Sequence, residues 1–271
     1  MNANATQPLT ALPGPAPAVQ PGFLHALRGC WYLTWKSRLS PRQWPLLAAT
    51  VLAIPLLAYF TTDEAHRIQY FQWLIVVHLQ LTLPFYCLTV FGDLIREELQ
   101  TNTLHFLTTR PVTRAQLFLG KFVSQMVWVQ ILAAVTGCCF VMAGLARGIS
   151  GVGSVAALFL GAQFLAVLAF GALSALFGLL HKRYLVLGTI YGIVVEVGIS
   201  QIPTNINSLA ITRHLKTILA NSAVLQEFFT WSSADTRFSV IALLVVTVIY
   251  VGVATVFFSF KEFHHSEDMQ K

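Results

Sequence analysis

The sequence predicts an all-α fold, a polytopic membrane helical bundle of six transmembrane spans with an amphipathic N-terminal helix and a short cytoplasmic helix between spans two and three. Three observations carry this. Hydrophobic residues make up 56% of the 271 and charged residues only 10%, whereas soluble domains hold about 45–50% apolar and about 25% charged residues. The apolar residues gather in six stretches almost free of Asp, Glu, Lys and Arg, each about as long as a helix needs to cross the hydrocarbon core. The basic excess, a net charge of +6, is scattered between those stretches instead of forming the patch that nucleic acid requires, so it reads as a topology signal and no nucleic-acid partner is expected.

Residues 1–22, rich in Pro and Ala, read as a disordered tail and lack the basic start and apolar centre of a secretory signal. Residues 23–43 mix Leu24, Leu27, Trp31, Tyr32 and Trp35 with Arg28, Lys36, Arg38 and Arg42. That mixture fits an amphipathic interfacial helix and equally an ordinary basic juxtamembrane flank. The membrane domain proper covers 44–260, with spans at 44–60, 71–92, 117–146, 154–180, 184–203 and 238–260. The third and fourth are longer than a bilayer requires and are expected to tilt or project. A polar tail, 261–271, closes the chain. Six spans put both ends on one side, and twelve of the seventeen Lys and Arg fall on that side. The termini are therefore expected in the cytoplasm.

The inner segment 93–116 is heavily punctuated. Asn102 tolerates the left-handed conformation that ends a helix, and Thr103 can cap a short new one. Pro111 stops that helix and biases Arg110 to an extended conformation. Thr113 with Gln116 has the spacing of a capping box, and Val112 with Leu117 that of a hydrophobic staple. The short helix presents Leu104, Phe106 and Leu107 among His105, Thr108 and Thr109, an apolar face suited to a partner's groove.

Glu97, Asn102-Thr103-Leu104, Leu107, Pro111-Val112 and Arg114, followed by Lys121, resemble the segment E-x4-G-T-L-x2-L-x3-P-[VI]-x-R of ABC-2-type permeases, the membrane subunits of ATP-binding-cassette exporters. The usual glycine of that segment is Asn102 here. The resemblance implies that the helix at 103–109 contacts a separate ATPase subunit, with Glu97, Arg110 and Arg114 supporting the docking by charge pairing. It also implies a second permease copy or a paralogue as partner. The plainer possibility is a solvated cytoplasmic hairpin. No P-loop is present, since Gly120-Lys121 is followed by Phe122 and preceded by Ala115 where the first glycine belongs. The chain itself is therefore expected to be non-catalytic and without a cofactor, with ATP and Mg bound by the partner ATPase in the cell (inner) membrane.

Glu196 is a formal charge within a span, where scales put its cost at roughly 2.5–3.5 kcal/mol. It is either a contact for substrate or proton in the pathway, or a carboxyl hydrogen-bonded between helices to His78, Gln80, Gln125, Gln130 or Gln163. Pro84 is expected to kink the second span. Gly188-x-x-x-Gly192 and Gly144-x-x-x-Gly148 offer close helix approach, within the chain or at a dimer interface. The outer segment 204–237 alternates Ile206, Leu209, Leu215, Ile218 and Leu219 with Arg213, His214 and Lys216. It reads as an extracytoplasmic hairpin, an interfacial helix followed by a re-entrant or surface helix, similar to the hairpin between the fifth and sixth spans of ABC-2 permeases.

Other chemistry finds little support. Cys30, Cys87, Cys138 and Cys139 form no C-x-x-C pair. His264-His265 with Glu267 and Asp268 lacks ligand geometry, so no metal site is expected. Glu97-Glu98 is followed by Asn102 where a glutamate-type membrane protease has Arg. The alternatives to a permease are a self-contained proton-coupled carrier or lipid-processing protein built around Glu196, and an anchor or assembly subunit.

Overall fold

The computed structural model describes residues 23–38, 44–95, 113–198, 210–229, 231 and 235–260. Every regular element among them is helical. In chain order these are α1 (Phe23–Arg38), α2 (Trp44–Thr61), α3 (Glu64–Gly92), α4 (Arg114–Ala146), α5 (Val152–Leu180), α6 (Tyr184–Tyr191, continuing as a π-helix over Gly192–Gly198), α7 (Ile211–Leu219), the single turn α8 (Ala223–Gln226) and α9 (Thr236–Phe260).

Four of these, α3, α4, α5 and α9, are long and apolar enough to cross a membrane. The first and fifth expected spans correspond to shorter apolar helices, Leu47–Thr61 in α2 and Tyr184–Glu196 in α6. The polar Asp63-Glu64 pair follows α2 closely, and the residues after Gly198 lie outside the described ones. The expected excess length of the third and fourth spans is present: α4 has 33 residues and α5 has 29. At 1.5 Å per residue α4 is about 50 Å long, against about 30 Å of hydrocarbon.

α5 is the centre of the bundle, packed by α3, α4, α6, α7 and α9. Small residues make this possible. Gly171 sits against Phe91 and Met126, and a Cβ on Gly178 would lie 2.2 Å from the Gly92 carbonyl oxygen. Tyr184 closes the same place, since a Cβ on Gly92 would meet its ring at 2.3 Å. Helices α3 and α5 thus touch backbone to backbone at the end where α6 begins. One glycine of each spaced pair packs inside the chain: Gly188 faces Leu88, and Gly144 faces Tyr70 and Val152, while Gly192 and Gly148 have nothing within 4 Å of a would-be Cβ.

The turn from α4 to α5 is a Schellman motif. Ile149 N–H donates to Gly144 O and Gly148 N–H to Leu145 O, each at 3.0 Å, with Gly148 at φ +72°, where an L side chain would be strained. Polar contacts join neighbouring ends here. Arg147 donates to Tyr59 O at 2.6 Å and lies 4.4 Å over the Tyr59 ring. Glu64 accepts the Ser150 amide at 2.8 Å and hydroxyl at 2.7 Å, and Tyr70 donates its hydroxyl to Phe140 O.

Pro84 follows a π-helical stretch, Trp73–Thr82, and occupies the start of the α-helix Leu83–Gly92. The wider π turn, in which Leu83 N–H reaches His78 O five residues back, meets the proline that cannot donate. Helix α1 lies along α4, with Cys30 Sγ 3.2 Å from where a Cβ on Gly120 would be. Its Trp35 meets Trp128 edge-on at 5.3 Å.

Candidate functional site

Two regions carry the residues singled out by sequence: the entry to α4 and the neighbourhood of Glu196. At the first, Glu97, Asn102, Thr103, Leu104, Phe106, Leu107, Arg110 and Pro111 lie outside the described residues, as does Val112 of the staple. Arg114 is the first residue of α4 and is exposed. The capping box is formed: Thr113 Oγ1 accepts the Gln116 amide at 3.2 Å, and Gln116 Oε1 accepts the Thr113 amide at 3.1 Å. Two otherwise orphaned donors are satisfied reciprocally, which fixes where α4 begins. On the other flank of the segment, Lys121 Nζ donates to Leu94 O at 3.4 Å, placing a cation at the carboxyl end of α3 where the helix dipole favours it.

Glu196 is 7% exposed and sits on the π-helical part of α6. Its Oε2 accepts the Thr212 amide at 2.7 Å, and its Oε1 accepts the Ile211 amide at 3.1 Å. The Tyr191 hydroxyl donates to the same Oε1 at 3.1 Å. Ala210, at the cap position of α7, offers no side-chain acceptor, so a carboxylate from another helix does this work. An anionic group at a helix N-terminus is favoured by the unpaired amides and by the dipole.

The sequence named glutamine and histidine side chains on other spans as partners; the first turn of α7 and Tyr191 supply donors that it did not point to. Gln130 donates to Phe164 O at 3.0 Å. His78 packs between Phe140 and Phe159, its ring tilted by 51° and 49° to theirs with centroids 5.1 and 6.2 Å away. Tyr191 and Thr212 escape sequence reasoning, because nothing in the spacing of an outer loop tells which of its amides a distant carboxylate will meet.

A pocket of about 170 Å³ opens beside this cap. Its walls come from Gln80, Pro84 and Leu88 of α3 and from Phe170, Ser174 and Phe177 of α5. Gly192, Tyr191 and Glu196 of α6 and Thr212 of α7 complete it. Mostly apolar walls with a few polar groups gathered at one place are what a small-molecule site offers.

Helix α7 turns Ile211, Leu215, Ile218 and Leu219 inward, as helical spacing requires. His214, which the sequence places among the polar residues of this segment, is buried as well, and so is Thr212. His214 lies 3.3 Å from Ser239 Oγ of α9, and α7 packs on both α5 and α9. Arg67 pairs with Glu227 at 3.6 Å and lies 4.8 Å over the Phe228 ring, joining α3 to the end of this hairpin.

Known proteins bear on this architecture through one finding. The family model described as ABC-2 family transporter protein matches residues 34–198, from within α1 to the end of α6 and across the whole 93–116 segment. No curated protein and no solved structure matches the chain. The match covers more than half of the chain and agrees with an all-helical bundle built from membrane-spanning helices, so this protein belongs to the ABC-2 transporter family.

Proposed function

We propose that the chain is the permease subunit of an ATP-driven exporter. Members of its family are in general non-catalytic membrane subunits that work with ABC ATPase partners. In this reading α2 and α6 are the first and fifth of six spans, and α1 lies at the interface ahead of them. Both termini face the cytoplasm from the cell (inner) membrane. The segment 93–116 docks on the ATPase through Leu104, Phe106 and Leu107, with Glu97, Arg110 and Arg114 pairing charges around them. Asn102 and Pro111 set its turns. A second copy or a paralogue completes the pathway, and ATP with Mg is held by the ATPase.

The observation that supports this best is the family match across 34–198, which includes the docking segment. The capping box at Thr113 adds a mechanical reason. A displacement of the segment is delivered to α4 through a fixed helix start instead of being lost in a frayed end. Work is transmitted only if ATP binds the closed ATPase arrangement more tightly than the open one.

The test is gentle purification with identification of what stays bound, followed by ATPase assays on that complex and on an Arg114→Ala, Leu107→Asp variant. Recovery of a P-loop ATPase that the variant loses supports the docking role. A lone, silent protein moves the weight to a self-contained carrier or lipid-processing protein, which requires activity without ATP and its loss in Glu196→Gln.

A further inference from the structure

Helix α1 has two unlike faces. One is docked on α4, with Cys30 buried against Gly120 and Trp35 edge-on to Trp128. The other is exposed and carries Arg28, Gly29, Trp31, Tyr32, Leu33 and Lys36. Arg28, Tyr32 and Lys36 follow one another at intervals of four, so they form one row along the helix, about 12 Å from first to last. Lys36 Nζ lies 5.7 Å over the Tyr32 ring. Trp31 is stacked on Trp35 at 5.5 Å, which ties the exposed face to the docked one.

The charge of the exposed face has one sign. Residues 1–62 hold Arg28, Lys36, Arg38 and Arg42 and no Asp or Glu, so α1 has no acidic side chain of its own to offer the row. The complement of such a row is an anion. The rest of the face narrows the choice, because Tyr32 is 63% and Leu33 57% exposed. Aromatic rings mixed with long basic side chains are the residues that settle where hydrocarbon gives way to headgroups.

The chain around α1 points the same way. Five residues join it to α2, whose Leu52, Leu56, Leu57 and Phe60 are exposed. A link of that length reaches at most about 20 Å, so α1 stays close to whatever apolar medium covers α2. In the six-span placement that medium is the bilayer.

The geometry points to a docking site for anionic phospholipid headgroups on the Arg28–Tyr32–Lys36 row of α1, with Trp31 and Leu33 beside the acyl chains. This deepens the proposed interfacial position of α1 and rests on it, adding the class of lipid that the position selects. Attraction of this kind is worth about fivefold in affinity for each basic residue near an anionic surface and weakens as salt screens it.

The experiment titrates the full chain in detergent micelles with phosphatidylglycerol or phosphatidylcholine of identical acyl chains and counts bound lipids by native mass spectrometry. Phosphatidylglycerol should bind at least about fivefold more tightly, and rising salt should shrink the difference. The double variant Arg28→Gln, Lys36→Gln should weaken phosphatidylglycerol at least about fivefold and leave phosphatidylcholine unchanged. Gly29 allows the charge to be altered without disturbing packing, since a Cβ there meets nothing within 4 Å. Gly29→Glu should therefore weaken phosphatidylglycerol and Gly29→Lys strengthen it, with neither lowering the unfolding midpoint.

Equal binding of the two lipids, or a preference that survives either the double variant or Gly29→Glu, overturns the assignment. So does loss of a captured ATPase in Gly29→Glu with lipid binding unchanged, which would make this face a protein interface. Lipid binding is read without an ATPase, so failure to recover one would sink the permease reading and leave the lipid result standing.

Discussion

Glu196 closes the first turn of a helix to which it does not belong: its Oε2 lies 2.7 Å from the Thr212 amide, across sixteen positions of chain. The carboxylate is therefore a fastening between α6 and α7, and α7 in turn rests on α5 and α9. Any movement of α6 along its axis either carries α7 with it or breaks these bonds.

Glu196→Ala should accordingly release the start of α7. Loss of an N-terminal cap costs about 0.5–2 kcal/mol, and the expected signature is a lowered unfolding midpoint with faster hydrogen exchange at the Ile211 and Thr212 amides. Glu196→Gln, which keeps one acceptor oxygen, should fall between Glu196→Ala and the unaltered protein. Unchanged exchange at both amides would show that the carboxylate does not hold them in the membrane.

The crossing of α3 and α5 makes a sharper test of packing. Gly178→Ala places a methyl group 2.2 Å from Gly92 O, and because the obstacle is backbone the two helices must separate. Overpacking of this kind costs about 1–3 kcal/mol. Gly161, in the same helix, meets nothing within 4 Å, so Gly161→Ala should instead be neutral or stabilise by up to about 1 kcal/mol. Equal thermal midpoints for the two variants would contradict the crossing.

The contacts between the start of α3 and the α4–α5 turn should weaken in acid. The Ser150 hydroxyl and then its amide hold the Glu64 carboxyl below the usual glutamate range. The His66 side chain and amide do the same for Asp63. Both groups bind protons less readily in the folded chain than in the unfolded one. Their contribution is therefore complete above the ordinary carboxylate range of about pH 4 and is lost as the pH falls through the lower folded values. Midpoints measured downward from pH 6 should drop below about pH 4.5, and Ser150→Ala should flatten the drop. A slope identical to that of the unaltered protein would show that the Ser150 bridge contributes nothing.

How much of this molecule is legible in its sequence depends on how far apart the interacting groups lie. Thr113 and Gln116 are three residues apart, and their pattern defines the helix start on its own, so the chain spells out the capping box locally. The burial of Leu215, Ile218 and Leu219 follows from helical spacing in the same way. Glu196 is conspicuous as a charge in an apolar helix, but its partners are backbone amides fifteen and sixteen positions further along the chain, and an amide leaves no mark in a sequence. The glycine pairs show the same limit. Their spacing announces close approach, yet the α3–α5 contact, the closest that any glycine among the described residues makes, is between Gly92 and Gly178, two isolated glycines 86 positions apart.

The α4 helix runs 33 residues without a proline and is capped at both ends, by Thr113 and by the Gly148 turn. Such an element behaves as a stiff beam. A tilt of about 10° over its roughly 50 Å moves one end about 9 Å relative to the other. The Arg147 end is tied to α2 through Tyr59, and the neighbouring Ser150 to Glu64 of α3, which makes that region the natural fulcrum. Most of any swing would then appear at the Arg114 end, and α1, lodged against Gly120 and Trp128, would travel with it as ballast.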